Sequence, residues 1–135
     1  GPVPGRVRHA FSAVREARDR ALANLCRSVN ERGRSPLGRS VDAVARRYLD
    51  RAGYRGRFAH SLGHSLGLRG PHGPETGLTP KSSSTLAFGV GYTIEPGVYL
   101  PQRFGIRLEM DCYLSRTREV ILTTELQQDL VVWQR

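Results

Sequence analysis

Cysteine is scarce in this chain and lysine is all but missing. The two cysteines, Cys26 and Cys112, cannot build a disulfide framework, and no CxxC pair or zinc-finger spacing of Cys and His exists. Cys26 falls on the apolar side of a predicted helix and Cys112 in a predicted strand, so both read as buried free thiols, and no structural zinc site is expected. Lys81 is the only lysine among 21 basic residues. No apolar run approaches the ~18 residues that a membrane helix needs. The first residues, GPVPGRVRHA, hold no apolar signal region. These absences give the expectation of a cytoplasmic protein with no membrane partner. No short internal repeat is present. A chain of 135 residues suffices for one domain with one core, and its 39% hydrophobic and 24% charged content is that of a globular protein.

The net charge of +9 is unevenly spread. Residues 1–57 carry 14 arginines against five acids, whereas residues 58–135 carry seven basic and seven acidic side chains. Solvated helix faces account for such an excess more simply than a nucleic-acid footprint does, so nucleic acid is not an expected partner. Replacing Arg15 or Arg46 by alanine is accordingly expected to matter little.

Two helices are predicted first. From Val7 to Val29 the apolar residues recur at positions 7, 10, 11, 14, 17, 21, 22, 25, 26 and 29, a 3.6-residue period held over six turns. Pro4 stands near its start, and the run from Glu31 to Gly38, with Gly33 and Pro36, ends it. In the second helix Ser40 suits the N-cap, Asp42 the first turn and Gly53 the C′ position, while Val41, Val44, Ala45, Tyr48, Leu49 and Ala52 make the apolar stripe. Glycines at 63 and 67 then disfavour a helix in Phe58–Leu68. Residues 70–84 read as a long surface loop. Strands are predicted at 85–88, 91–100, 105–114, 119–123 and 130–134, with a hairpin turn at 115–118. Helices followed by antiparallel strands give an α+β fold.

The candidate chemistry lies between Phe58 and Asp111. His60 and His64 form an HxxxH pair, a zinc pattern on a helix, but the flanking glycines oppose that helix and no HExxH glutamate is present. Taken alone, the pair suits hydrogen-bonding histidines equally well. Glu95 follows the strand-like Tyr92-Thr93-Ile94 and precedes Pro96-Gly97, so a turn fixes the backbone immediately after it. In Ile106–Asp111 strand alternation sends Ile106, Leu108 and Met110 to one side and Arg107, Glu109 and Asp111 to the other. That second row is either a surface line of alternating charges or the wall of a pocket. An imidazole and two carboxylates in apolar surroundings each cost several kcal/mol unless they are paired or hold a cation.

HSLGHSLGL, TIEPGVYLP and FGIRLEMD together resemble the three C-terminal signatures of the pita-bread metallopeptidases, the group of Xaa-Pro aminopeptidases, prolidases and methionine aminopeptidases. Their order and approximate spacing match, as do the paired helices before them, from about residue 7 to the C-terminus. EPGVYLP followed by FGIRLE is closer to the Xaa-Pro aminopeptidase and prolidase branch. The resemblance implies a partial pita-bread fold, two amphipathic helices packed on a curved antiparallel sheet. Residues 1–135 would form the C-terminal portion of such a catalytic domain, without the upstream strands that carry two aspartate ligands.

The implied function is metal-dependent release of N-terminal residues from short peptides, at Xaa-Pro bonds, by water activated between two divalent ions. His64, Glu95 and Glu109 match metal ligands, and Glu95 also matches the group that takes the proton from the water. His60 and His72 match pocket histidines that stabilise the tetrahedral intermediate and, with Arg107, bind substrate. A carboxylate-rich ligand set favours manganese first, with cobalt or zinc as alternatives. A homodimer is the oligomer considered. The chain departs from the pattern in two places: the gap from His64 to His72 is one residue longer than usual, and Met110 stands where an acid often follows the last glutamate. Two other readings remain: a non-catalytic pita-bread module that binds peptide or RNA, and a metal-free, creatinase-like amidinohydrolase.

Overall fold

The long apolar period becomes helix α1, Gly5–Cys26, in a computed structural model of the protein that describes residues 2–133. Pro4 has φ −57°, and its carbonyl accepts the amides of Val7 and Arg8, so the ring starts the helix without losing a bond. Ala10, Val14, Ala17 and Ala21 are fully buried, and these small side chains let a second helix approach closely. A wider turn over Arg27–Glu31 keeps Val29 inside, and Gly33, at φ +60°, ends the run.

Helix α2, Gly38–Leu49, starts two residues before the expected cap. Ser40 lies within its first turn and donates its hydroxyl back to the Leu37 carbonyl at 2.7 Å. Gly38 can open the helix because a Cβ there would collide with the Gly77 carbonyl oxygen. Asp42, expected in the first turn, is buried, 1% exposed. Gly53 adopts φ +91° in the wide turn Asp50–Tyr54 that closes the segment, as its place after the apolar stripe predicts.

The strands are shorter than predicted. The stretch 91–100 splits into β1, Val90–Ile94, and β2, Gly97–Leu100, while 105–114 splits into β3, Phe104–Arg107, and β4, Met110–Leu114. Both splits belong to one event. β1 pairs antiparallel with β4, ending at Ile94 opposite Met110, and β2 pairs with β3, beginning at Gly97 opposite Arg107. The register is the same on either side, and the Leu108 amide still reaches the Pro96 carbonyl at 3.2 Å. Pro96 has no amide hydrogen, which is why the ladder thins at this point. A single two-stranded ribbon therefore runs through an interruption at Glu95-Pro96 and Leu108-Glu109.

β5, Val120–Leu122, adds to β4 through the expected hairpin turn, in which the Arg118 amide bonds the Ser115 carbonyl at 3.0 Å. Of the strand expected at 85–88, only Thr85 makes a bridge, to Leu37. The stretch 130–133 is not a strand, and Gln134 lies outside the described residues. The loop 70–84 is not wholly superficial, since Leu78 is fully buried and pairs with Gly63.

Two arginines tie the last segment to α1. Arg15 donates to the Gln128 carbonyl at 2.6 Å and Arg18 to that of Gln127 at 2.9 Å. Arg18 is fully buried beside Asp19, so the helix arginines are not all solvated, contrary to the reading of the charge excess.

Cys112 is buried as expected, whereas Cys26 is only half-buried, and both thiols are free. Burial pushes the Cys112 thiol up from the ordinary 9.0 to about 12. The folded state then holds this proton more tightly than the unfolded state. Its contribution to stability is complete below pH 9 and is lost as pH rises through about 12. Denaturant unfolding at a series of pH values should show stability falling in that window by ~1.4 kcal/mol per pH unit from this group, a slope that Cys112→Ala removes.

Candidate active site

The segment Phe58–Leu68 is extended, not helical, and lies along β1. The Glu95 amide bonds the Leu62 carbonyl at 2.7 Å, that of Thr93 bonds His64 at 3.0 Å, and that of Leu66 bonds Gly91 at 2.8 Å. Gly63 permits this contact, because a Cβ there would strike the Thr93 carbonyl oxygen. The glycines of the HSLGHSLGL motif are thus needed for backbone approach, and the HxxxH pair is carried on a strand-like segment.

His64 is fixed on three sides. Its amide donates to Thr93 Oγ1 at 3.0 Å, and its Nδ1–H donates to the Ser65 carbonyl at 2.9 Å. That bond places a proton on Nδ1 and turns Nε2 to Glu95 Oε1, 3.3 Å away. Glu95 is 9% exposed, and the same oxygen accepts the Thr93 hydroxyl at 2.9 Å. An imidazole lone pair and a carboxylate oxygen at this separation repel each other unless a proton or a cation lies between them.

Glu109 completes the arrangement from across the ribbon. Because the register does not change, Glu95 and Glu109 stand directly opposite one another in the interruption. Like charges placed opposite are destabilising. Arg107 relieves them here: its guanidinium lies 3.6 Å from Glu95 Oε2 and 3.3 Å from Glu109 Oε2. Asp111 follows on the same side of β4, opposite Thr93, and its Oδ1 is buried without a hydrogen-bond partner. The row thus lies on the Glu95 side of the ribbon, but only Asp111 turns partly inward; Arg107 and Glu109 are exposed and form an open rim.

The other two histidines differ in role. His72 lies against His64, with ring centroids 3.9 Å apart. In His60, Nδ1–H donates to the Ser61 carbonyl at 2.8 Å, and Nε2 accepts the Tyr99 hydroxyl at 2.8 Å. With both nitrogens engaged, His60 presents an aromatic wall.

Asp42 and Arg46 anchor this segment, and the sequence reading missed them. Asp42 takes a two-pronged contact from Arg46, both bonds at 2.9 Å, and accepts the Leu62 amide at 3.1 Å. Arg46 in turn donates to the carbonyls of Phe58, at 2.8 Å, and His60, at 2.9 Å. Hydrogen bonding to Asp42 raises the Arg46 guanidinium above its usual range, against the opposing effect of burial. Arg46 is therefore not a dispensable surface arginine. Its spacing of four from Asp42 on one helix face was the available signal.

The donors suit a divalent cation in kind, since a neutral imidazole with carboxylates is a borderline-to-hard set. In number they do not: among the described residues, no group of three or more His, Cys, Asp or Glu is placed to hold a metal ion. His64 and Glu95 converge, while Glu109 is turned to Arg107.

The α+β layer thus brings His64, Glu95 and Glu109 together from an extended segment and an interrupted ribbon. The family described as metallopeptidase family M24 matches residues 1–116, and the chain belongs to it. The X-Pro aminopeptidase of Thermotoga maritima superimposes with a TM-score of 0.80 at 35% identity, over 96% of this chain and 34% of its own. The prolidase of Thermococcus sibiricus gives 0.82 at 30% identity, over 96% and 33%. An uncharacterized peptidase of Bacillus subtilis, YqhT, is 36% identical over 86 residues, 64% of this chain and 24% of that protein. The fold is that of the pita-bread prolidases, as the motifs imply. The chain spans about a quarter to a third of the length of these relatives.

Proposed function

We propose that this chain supplies the His/Glu/Glu side of a peptidase site that removes N-terminal residues from short peptides, with Xaa-Pro bonds as the preferred target. One observation carries the proposal: Glu95 and Glu109 face each other across the interrupted ribbon, with His64 Nε2 turned to Glu95. This brings an imidazole and two carboxylates to one point, where Arg107 is their only cation among the described residues. In the complete protein, divalent ions, manganese first, are the proposed partners of these donors. Within the chain, Glu95 takes the proton from the attacking water, and Thr93 and Arg107 hold its carboxylate in place. His72 borders the reacting carbonyl, and His60, held by Tyr99, forms the wall against the proline-side residue.

Peptidase assays of the complete protein on Xaa-Pro and Xaa-Ala peptides, with manganese added, test the reading. Turnover of the Xaa-Pro series is expected. No hydrolysis of either series would reject the enzyme assignment, and equal rates would reject the preference for proline.

Arg107 gives a further expectation. Its guanidinium and an added cation address the same two carboxylates, so Arg107→Met should tighten manganese binding by the complete protein about tenfold, at the strength of a charge-assisted contact. Calorimetric titration would show it, and weaker binding by the variant would indicate that Arg107 supports the cation instead.

A further inference from the structure

Of the five acids of residues 1–57, one (Glu16) pairs with an arginine of the groove described next, and none lines it. Glu16 is bound to Arg20 at 2.7 Å, Asp19 to Arg18 at 2.8 Å, and Asp42 to Arg46 at 2.9 Å. Asp50 acts on Arg46 as well. Among the described residues, Arg27, Arg47 and Arg51 have no carboxylate within ion-pair distance. These three, with Arg20, line a single groove of about 300 Å³ between α1 and α2. Tyr48 and Asn24 contribute to its walls, and no acid does. The Arg20 guanidinium lies over the Tyr48 ring, 4.7 Å from its centroid, so one arginine is already held in place.

This placement works against the chain's own electrostatics. Arg47 and Arg51 are one helical turn apart, a spacing at which like charges repel. Arg20 and Arg27 are two turns apart on the facing helix, so all four cations meet along one line. Compositional bias explains arginine in place of lysine, but not the gathering of three arginines without an ion-pair partner beside Arg20, whose partner Glu16 does not line the groove. Guanidinium forks match phosphate oxygens in pairs, a fit that ammonium groups lack. The groove has room for a short phosphate chain and not for a folded partner.

We propose that the groove between α1 and α2 binds a small oligophosphate anion through Arg20, Arg27, Arg47 and Arg51. The groove shares no residue with the His64–Glu95 site, so the proposal stands apart from the peptidase reading. The shared chemistry is a run of phosphates, free or carried on a nucleoside, and the test separates the two sources. The full chain is titrated calorimetrically with inorganic tripolyphosphate, with ATP and with sulfate, at constant ionic strength.

Saturable binding of tripolyphosphate over sulfate is expected, weakened about tenfold or more by Arg27→Ala or Arg47→Ala, the loss of one charge-assisted contact. Both side chains are exposed, so the fold should be unaffected, which circular dichroism checks. Arg103→Ala, at an exposed arginine outside the groove, should leave affinity unchanged. Equal binding of tripolyphosphate and ATP assigns recognition to the phosphates, whereas tighter ATP binding assigns the nucleoside to Tyr48. No binding, or affinity unchanged in both groove variants, overturns the proposal. Salt-sensitive binding of single-stranded RNA without binding of tripolyphosphate or ATP overturns it as well.

Discussion

Replacing Glu95 by glutamine is expected to lower kcat for Xaa-Pro hydrolysis by the complete protein by about 10³-fold or more, with folding preserved. Glutamine has the same shape, and its amide oxygen can still accept the Thr93 hydroxyl that now bonds Oε1 at 2.9 Å. The substitution removes the negative charge and the proton acceptor, and it sets an uncharged group beside His64 Nε2. The loss should therefore appear in kcat more than in KM. Glu95→Ala should be equally inactive but slightly less stable, because Thr93 and Arg107 each lose a partner. Steady-state kinetics with thermal unfolding of both variants checks the expectation. Activity of Glu95→Gln within tenfold of the parent would remove Glu95 from the proton-transfer role.

The largest effect on stability is expected at Asp42. It is 1% exposed and holds two Arg46 contacts and the Leu62 amide. Asp42→Ala strands a half-buried guanidinium and a backbone donor together, and losing one partner of a buried pair costs about 3–5 kcal/mol. Partial exposure of Arg46 places the expectation near the lower figure, about 3 kcal/mol. Asp42→Asn keeps an oxygen for the Leu62 amide and should cost about half as much. Arg46→Ala should lower activity in the complete protein as well as stability, since Phe58 and His60 lose the donor that holds their carbonyls. Urea unfolding measures the stability changes, and a loss below about 1 kcal/mol for Asp42→Ala would show that the network does not anchor the segment.

The two helices, the α+β order and the shared side of Arg107, Glu109 and Asp111 were legible without coordinates. They rest on local periods, 3.6 residues along a helix and two along a strand, which any short stretch displays. The start of α2 was misplaced because Ser40 has the chemistry of a cap, whereas the actual start depends on the close approach of Gly38 to Gly77. Arg46 reads as dispensable and Asp42 as a first-turn residue because nothing near them in sequence shows that Phe58–Leu62 folds back across that helix face. The role of His60 changed for a similar reason: its partner, Tyr99, is 39 residues away.

The sequence by itself determined which elements form, which face of each is apolar, and the motifs that place this chain among the metallopeptidases. Only the tertiary structure decided that Glu95 and Glu109 stand opposite one another, with Arg107 between their carboxylates and His64 aimed at one of them. Register between strands is set by packing and pairing over the whole ribbon, and a shift of one residue would have turned one of these carboxylates to the opposite face. The placement of the two carboxylates about Arg107 is therefore a property of the pairing, and neither glutamate motif carries it alone.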